Sequence, residues 1–187
     1  MTPFEVVYDW PTKKGGSTIS VEDCDFLRDL CLQYNPTKIL EVGTGSGRST
    51  WAMALSSDCE IHTIDKDDWY SDQLPNDKIK RYITYSTQWL NEYNVKDFDL
   101  IFLDAFIPYS NFAKILSKIK DSCSIVLHDY YQTDINKVYP DKGYRNFKSL
   151  MQYLFSGDSA CNYNYTVTVG GGCCAHIRLE RETNDAV

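Results

Sequence analysis

One stretch constrains the fold more than any other: Lys38-Ile39-Leu40-Glu41-Val42, then Gly43-Thr44-Gly45-Ser46-Gly47, then Arg48-Ser49-Thr50 and the apolar run Trp51 to Leu55. An apolar strand that turns through three alternate glycines into a helix belongs to an open α/β sheet that holds a nucleotide-like ligand. Glycine lets the backbone take a positive φ, and it lets a ligand approach where a Cβ would otherwise stand. The helix start beyond the turn offers N–H groups to polar ligand atoms.

The rest of the chain alternates as such a sheet requires. Ser20 suits the cap of a helix over about 21–34, with Glu22 and Asp23 in its first turn. Phe26, Leu27, Leu30 and Cys31 recur there at helical spacing, and Asn35-Pro36 ends it. Residues 38–42 are the first strand and 48–57 its helix. Residues 60–65 are the second strand, ending in Asp65. A polar loop follows from Lys66 to Pro75, with a short helix near 76–80. Strand three is expected at 81–85, a helix at 87–94, strand four at 98–104 and a helix at 109–120. Strand five, 123–127, runs into His128-Asp129. A helix at 146–155 and a hairpin of strands 164–169 and 173–179, broken by Gly170-Gly171-Gly172, close the chain. Phe98 to Leu103 is apolar except for Asp99, which suits a parallel strand covered on both faces. The expected fold is therefore α/β: a doubly wound, mostly parallel, seven-stranded sheet with a C-terminal antiparallel β-hairpin. A single domain is expected over 1–187, with an irregular segment at 1–19 and a frayed tail at 180–187.

Composition narrows the partners. A formal net charge of -7 argues against a nucleic-acid partner, which favours a basic stripe. No run approaches the ~18 apolar residues of a membrane span, and the N-terminus lacks the form of a signal peptide. The seven cysteines show no C-x-x-C and no Cys/His metal spacing, so Cys24 and Cys31 read as core and the compartment as reducing and cytoplasmic. Cys173-Cys174 is a vicinal pair in a strand, where neighbours point to opposite faces. His62 and His176 read as packing residues, and Lys13-Lys14 as a solvated loop. Tyr109, Tyr130 and Tyr131 border the expected crevice as an aromatic wall, and Trp10 and Trp69 are candidates for closing it.

Ligands of such sheets sit outside the C-terminal strand edge, so acids there carry information. Four stand at or near those ends: Glu41, Asp65, Asp104 and Asp129. Asp65 lies 22 positions beyond Gly43 (65 minus 43), near the spacing at which a carboxylate accepts from ribose hydroxyls. The turn itself fits neither G-x-G-x-x-G nor the phosphate-binding G-x-x-x-x-G-K-[ST] pattern.

With Glu41 two residues before the first glycine, E-V-G-T-G-S-G resembles motif I of the class I S-adenosylmethionine-dependent methyltransferases. The resemblance covers roughly residues 20–180. G-S-G-R-S-T, F-D-L-I-F-L-D-A and S-I-V-L-H-D-Y-Y are similar to the small-molecule O-methyltransferases of catechol and macrolide-sugar type. The resemblance implies O-methylation of a small hydroxylated acceptor, with S-adenosylmethionine as cofactor. Glu41, Gly43, Gly45 and Gly47 would surround its methionine part, Asp65 would hold its ribose, Thr87 and Gln88 would lie near the adenine, and Asp104 beside the sulfonium. Asp104 and Asp129 match the acids that bind Mg2+ in metal-using relatives, although no third hard ligand is visible in the sequence. Asp104, His128 and Asp129 are the catalytic candidates, with His128 as a general base whose unperturbed pKa is near 6.5. Strand alternation places His128 and Asp129 on opposite sides. The alternatives are a methyltransferase acting on protein or RNA, and a non-catalytic protein that binds S-adenosylmethionine or S-adenosylhomocysteine.

Overall fold

In the computed structural model, residues 19–68, 77–105, 107, 109–129 and 163–181 are described. Helix α1 is Val21–Tyr34. Its start is fixed by a capping box in which Ser20 and Asp23 exchange hydrogen bonds, and Asn35 in the left-handed region ends it. Strand β1 (Lys38–Val42) leads into α2 (Arg48–Ser56), then β2 (Glu60–Asp65). Strand β3 is Ile79–Ile83 and helix α3 is Ser86–Glu92. A 3-10 turn at Val95–Asp97 precedes β4 (Leu100–Leu103), followed by α4 (Tyr109–Lys118) and β5 (Ser124–Leu127). Strands β6 (Tyr163–Gly170) and β7 (Cys174–Arg181) form the hairpin.

The seven strands make one sheet in the order β3-β2-β1-β4-β5-β7-β6. The first five run parallel and β7 joins β5 antiparallel, as expected from the sequence. Alternation along the buried strands divides the core. Leu40, Val42, Ile101 and Leu103 pack with Trp89, Phe112 and Ile115 of α3 and α4. Ile39, Ile61, Leu100 and Phe102 pack on the other face with Leu27, Cys31 and Met53 of α1 and α2. His62 and His176 are buried in packing roles. His62 stacks on Tyr82, and His176 tilts against Tyr34.

Three expectations need correction. The short helix near 76–80 is absent: residues 77–78 form a turn and β3 begins at Ile79. Strand β7 continues through Glu180 and Arg181, so the tail does not begin at 180. Cys173 lies in the hairpin turn and only Cys174 is in the strand. The expected helix at 146–155, and Lys13, Lys14, Trp10, Trp69, Tyr130 and Tyr131, fall outside the described residues. Among the described residues no helix is long and apolar enough to cross a membrane.

Asp99 locks the far edge of this sheet. Its Oδ2 accepts from Thr37 N at 2.8 Å, Thr37 Oγ1 at 2.6 Å and Lys38 N at 3.0 Å, and Lys120 pairs with Oδ1. Burial raises its pKa, but Lys120 and these donors outweigh that and hold it down at about 2. A depressed carboxylate pKa contributes stability above the unfolded value, which is lost as pH falls through the folded value. Asp99→Asn is expected to lose about 1–2 kcal/mol at pH 7, allowing for partial solvent screening, and much less near pH 2. Urea denaturation at the two pH values checks this, and an equal loss at both would rule out the carboxylate charge as the source.

Candidate active site

Strand order reverses between β1 and β4, so a crevice opens beyond their C-terminal ends. Gly43 follows β1 and Asp104 follows β4, and Asp104 N donates to Val42 O at 2.8 Å. The two turns touch: a Cβ on Gly43 would stand 2.3 Å from the Asp104 carbonyl oxygen. Gly43, Gly45 and Gly47 all take positive φ (106°, 50° and 87°), which swings the chain from β1 into α2.

Asp65 closes the adjoining side. Its Oδ2 accepts from Gly45 N at 2.9 Å and its Oδ1 from Asp67 N at 3.0 Å. A carboxylate has about four lone-pair sites, so hydroxyl donors of a ligand can still be accommodated. The resulting open cleft is lined by the glycine turn from Gly43 to Ser46, by Asp65 and Asp104, and by Ile19, Arg48, Ser49 and Ala105. Arg48 Nη1 donates to Ile19 O at 2.9 Å, tying α2 to the segment before α1. Arg48 is the cation of this lining, and the sequence reading missed it although it directly follows the last glycine.

Other candidates are placed differently. Gly47 starts α2 and is not in the cleft lining. Glu41 faces α2, fully buried, and accepts from Ser49 Oγ at 2.5 Å, Thr50 Oγ1 at 2.5 Å and Thr63 Oγ1 at 2.6 Å. Its carboxylate braces the turn from behind. Gln88 is exposed, between Thr84 and Glu92, and neither it nor Thr87 lines the cleft.

At the end of β5, His128 and Asp129 come together with Asp104. His128 Nδ1 lies 2.8 Å from Asp104 Oδ1 and 3.4 Å from Asp129 Oδ1. Strand alternation does not separate His128 from Asp129, because β5 ends at Leu127 and Asp129 takes a left-handed φ of 56°. Aspartate tolerates that region better than most residues. On the other ring nitrogen, Nε2–H donates to Asp23 Oδ2 at 3.4 Å. Asp23 is itself buried and fixed. Gly172 N and Cys173 N donate to its Oδ1, both at 2.9 Å, and Ser20 Oγ donates to its Oδ2 at 2.6 Å. Burial pulls the His128 pKa down, but Asp104, Asp23 and Asp129 outweigh it and push it up to about 10. That surrounding of carboxylates favours the protonated ring.

The sequence matches no protein-family model and no curated protein sequence. Its fold is shared with solved methyltransferase structures. One, from Staphylococcus aureus and assigned as a caffeoyl-CoA O-methyltransferase, superposes with a TM-score of 0.70 at 17% identity, over 96% of this chain and 93% of that one. An O-methyltransferase from Bacillus cereus in complex with SAH gives 0.66 at 18% identity, over 97% and 91%. MycE, from the mycinamycin biosynthetic pathway and in complex with Mg and SAH, gives 0.61 at 16% identity, over 87% of this chain and 50% of that one. The architecture is the Rossmann-like methyltransferase fold.

Proposed function

We propose that this chain is an S-adenosylmethionine-dependent methyltransferase that methylates a hydroxyl of a small molecule. The observation that carries this reading is the convergence of the glycine turn, Asp65 and Asp104 on one cleft at the sheet's switch point. Asp65 would accept from the ribose hydroxyls, and the backbone at Gly43 and Gly45 would pass beside the aminoacyl tail. Bound S-adenosylmethionine supplies an electrophilic methyl group on a sulfonium. The chain's task is then alignment, holding the acceptor oxygen in line with the methyl–sulfur bond, which supplies much of the rate in such a displacement.

A divalent cation fits beside the cleft. Asp104, His128 and Asp129 each offer one donor atom, all within 4.8 Å of one another. Asp104 and Asp129 would hold Mg2+ or a similar ion, which when bound lowers the pKa of an acceptor hydroxyl. The fold similarity to MycE, which carries Mg, supports this reading. A full methyl-transfer rate in chelator, measured against a panel of phenols and sugars, would remove the cation from the reaction.

Asp65→Ala is expected to weaken S-adenosylhomocysteine binding about 100-fold, because hydrogen bonds to a charged acceptor contribute about 1.5–3 kcal/mol each. Isothermal calorimetry checks it, with NAD as the control ligand. Unchanged affinity would take Asp65 out of the site, and failure of the wild type to bind would refute the cofactor assignment. The buried thiols of Cys24, Cys31 and Cys123 are each pushed up to about 12 by burial, which keeps them protonated and unreactive.

A further inference from the structure

We infer that His128 is the third protein ligand of the divalent-cation site, binding through Nδ1 beside Asp104 and Asp129, with Asp23 as the residue that orients its ring. This deepens the reading above by assigning a ligand from outside the pair of acids that the sequence resemblance supplies.

The distances carry the argument. Two ligands bonded to one ion at about 2.1 Å lie about 3.0 Å apart at a right angle, and about 3.4 Å apart at the tetrahedral angle. His128 Nδ1 stands 2.8 Å from one carboxylate oxygen and 3.4 Å from the other. Both separations match edges that a coordination polyhedron would have. Nδ1 is buried and within ion-pair distance of both carboxylates, and no hydrogen bond satisfies it.

The opposite nitrogen supports the same assignment. The contact to Asp23 engages Nε2 and leaves Nδ1 facing Asp104 and Asp129 as the atom available to a metal. A carboxylate behind a ligating imidazole is the usual support of such sites, setting the tautomer and the ring orientation. Asp23 is well suited to this, since backbone N–H groups of the β6–β7 turn and the Ser20 hydroxyl hold it in place. The turn after β5 completes the arrangement by bringing consecutive residues to the same side.

The donor set also selects the ion. Two carboxylates alone suit Mg2+, whereas an added imidazole shifts the preference toward first-row ions, most strongly Co2+ and Zn2+ and more weakly Mn2+. The site is therefore assigned to a first-row divalent ion in preference to Mg2+.

Mn2+ is the probe. In the full-length protein, bound Mn2+ is expected to show 14N modulation from a directly coordinated imidazole in pulsed electron paramagnetic resonance. A hundredfold excess of Mg2+ should leave most of the Mn2+ bound. His128→Asn should abolish the imidazole modulation and weaken Mn2+ binding at least tenfold. Asp23→Asn should weaken it about tenfold while the modulation persists. Bound Mn2+ without 14N coupling in the wild type overturns the assignment, as does no Mn2+ binding or ready exchange by Mg2+. The wild-type spectrum alone decides the ligand, so the answer survives a variant that does not fold. S-adenosylhomocysteine calorimetry on the same samples in chelator separates the two readings. Its failure beside an intact Mn2+ signal refutes the methyltransferase and leaves the metal site standing.

Discussion

Gly43→Ala is expected to cost at least about 4 kcal/mol, or to leave no folded protein. Two independent penalties act at this residue. Its φ of 106° lies in a region that residues with a Cβ rarely adopt. The added carbon would also stand 2.3 Å from the Asp104 carbonyl oxygen and 2.7 Å from its carbonyl carbon. Those atoms are backbone, so relief would require β1 and β4 to part at the site where their turns must meet. Overpacking alone typically costs 1–3 kcal/mol, and the conformational penalty adds to it. Urea denaturation of a soluble variant, or the refolding yield of an insoluble one, checks the prediction. A loss under 1 kcal/mol would show that the turns separate without consequence. In that case the close approach of Gly43 to Asp104 would not be a requirement of the fold.

How much of this was legible in the sequence depends on whether each cause was local. Helix α1 was readable to the residue because its cap, its apolar spacing and its Asn35-Pro36 stop all lie within the segment. The glycine turn, Asp65 and Asp104 were readable because a strand followed by a turn places them at the sheet edge whatever surrounds them. Strand β3 was misplaced for the opposite reason. Ile79–Ile83 is an edge strand with no fully buried residue, so its polar Lys80 and Arg81 hide the pattern that its pairing with β2 creates. Asp23 looked like a helix-start acid, and it is one. Its other partners, Gly172 and Cys173, lie 149 and 150 residues away, and no local pattern could announce them. His128 and Asp129 were separated by a rule that holds only inside a strand, and the strand ends one residue earlier. Glu41 was assigned to the ligand from its place before the glycines. Alternation in β1 instead turns it with Ile39 toward α2, where Ser49 and Thr50 wait.

That placement makes Glu41 a pH-dependent brace. Burial pushes its pKa up to about 7, against the pull of the Ser49, Thr50 and Thr63 hydroxyls, and the charge of Asp104 adds to the rise. The native state therefore keeps the Glu41 proton over a range in which the unfolded chain has released it. Stability from this group is fully present below the unfolded value near 4.5 and falls as pH rises toward 7. At about 1.4 kcal/mol per pH unit, the loss across that window is of order 3 kcal/mol. Glu41→Gln keeps the shape and cannot ionise, and the three hydroxyls can rotate to satisfy its amide. The variant is expected to match the wild type near pH 5 and to exceed its stability near pH 8. Glu41→Ala removes the acceptor from three buried hydroxyls and leaves a cavity, so a loss of about 4 kcal/mol is expected at pH 5. Urea denaturation of the three proteins at both pH values decides the matter. If Glu41→Gln is less stable than the wild type by the same margin at pH 5 and pH 8, the native carboxylate is ionised at both. The glycine turn would then be held by a buried charge rather than a buried acid.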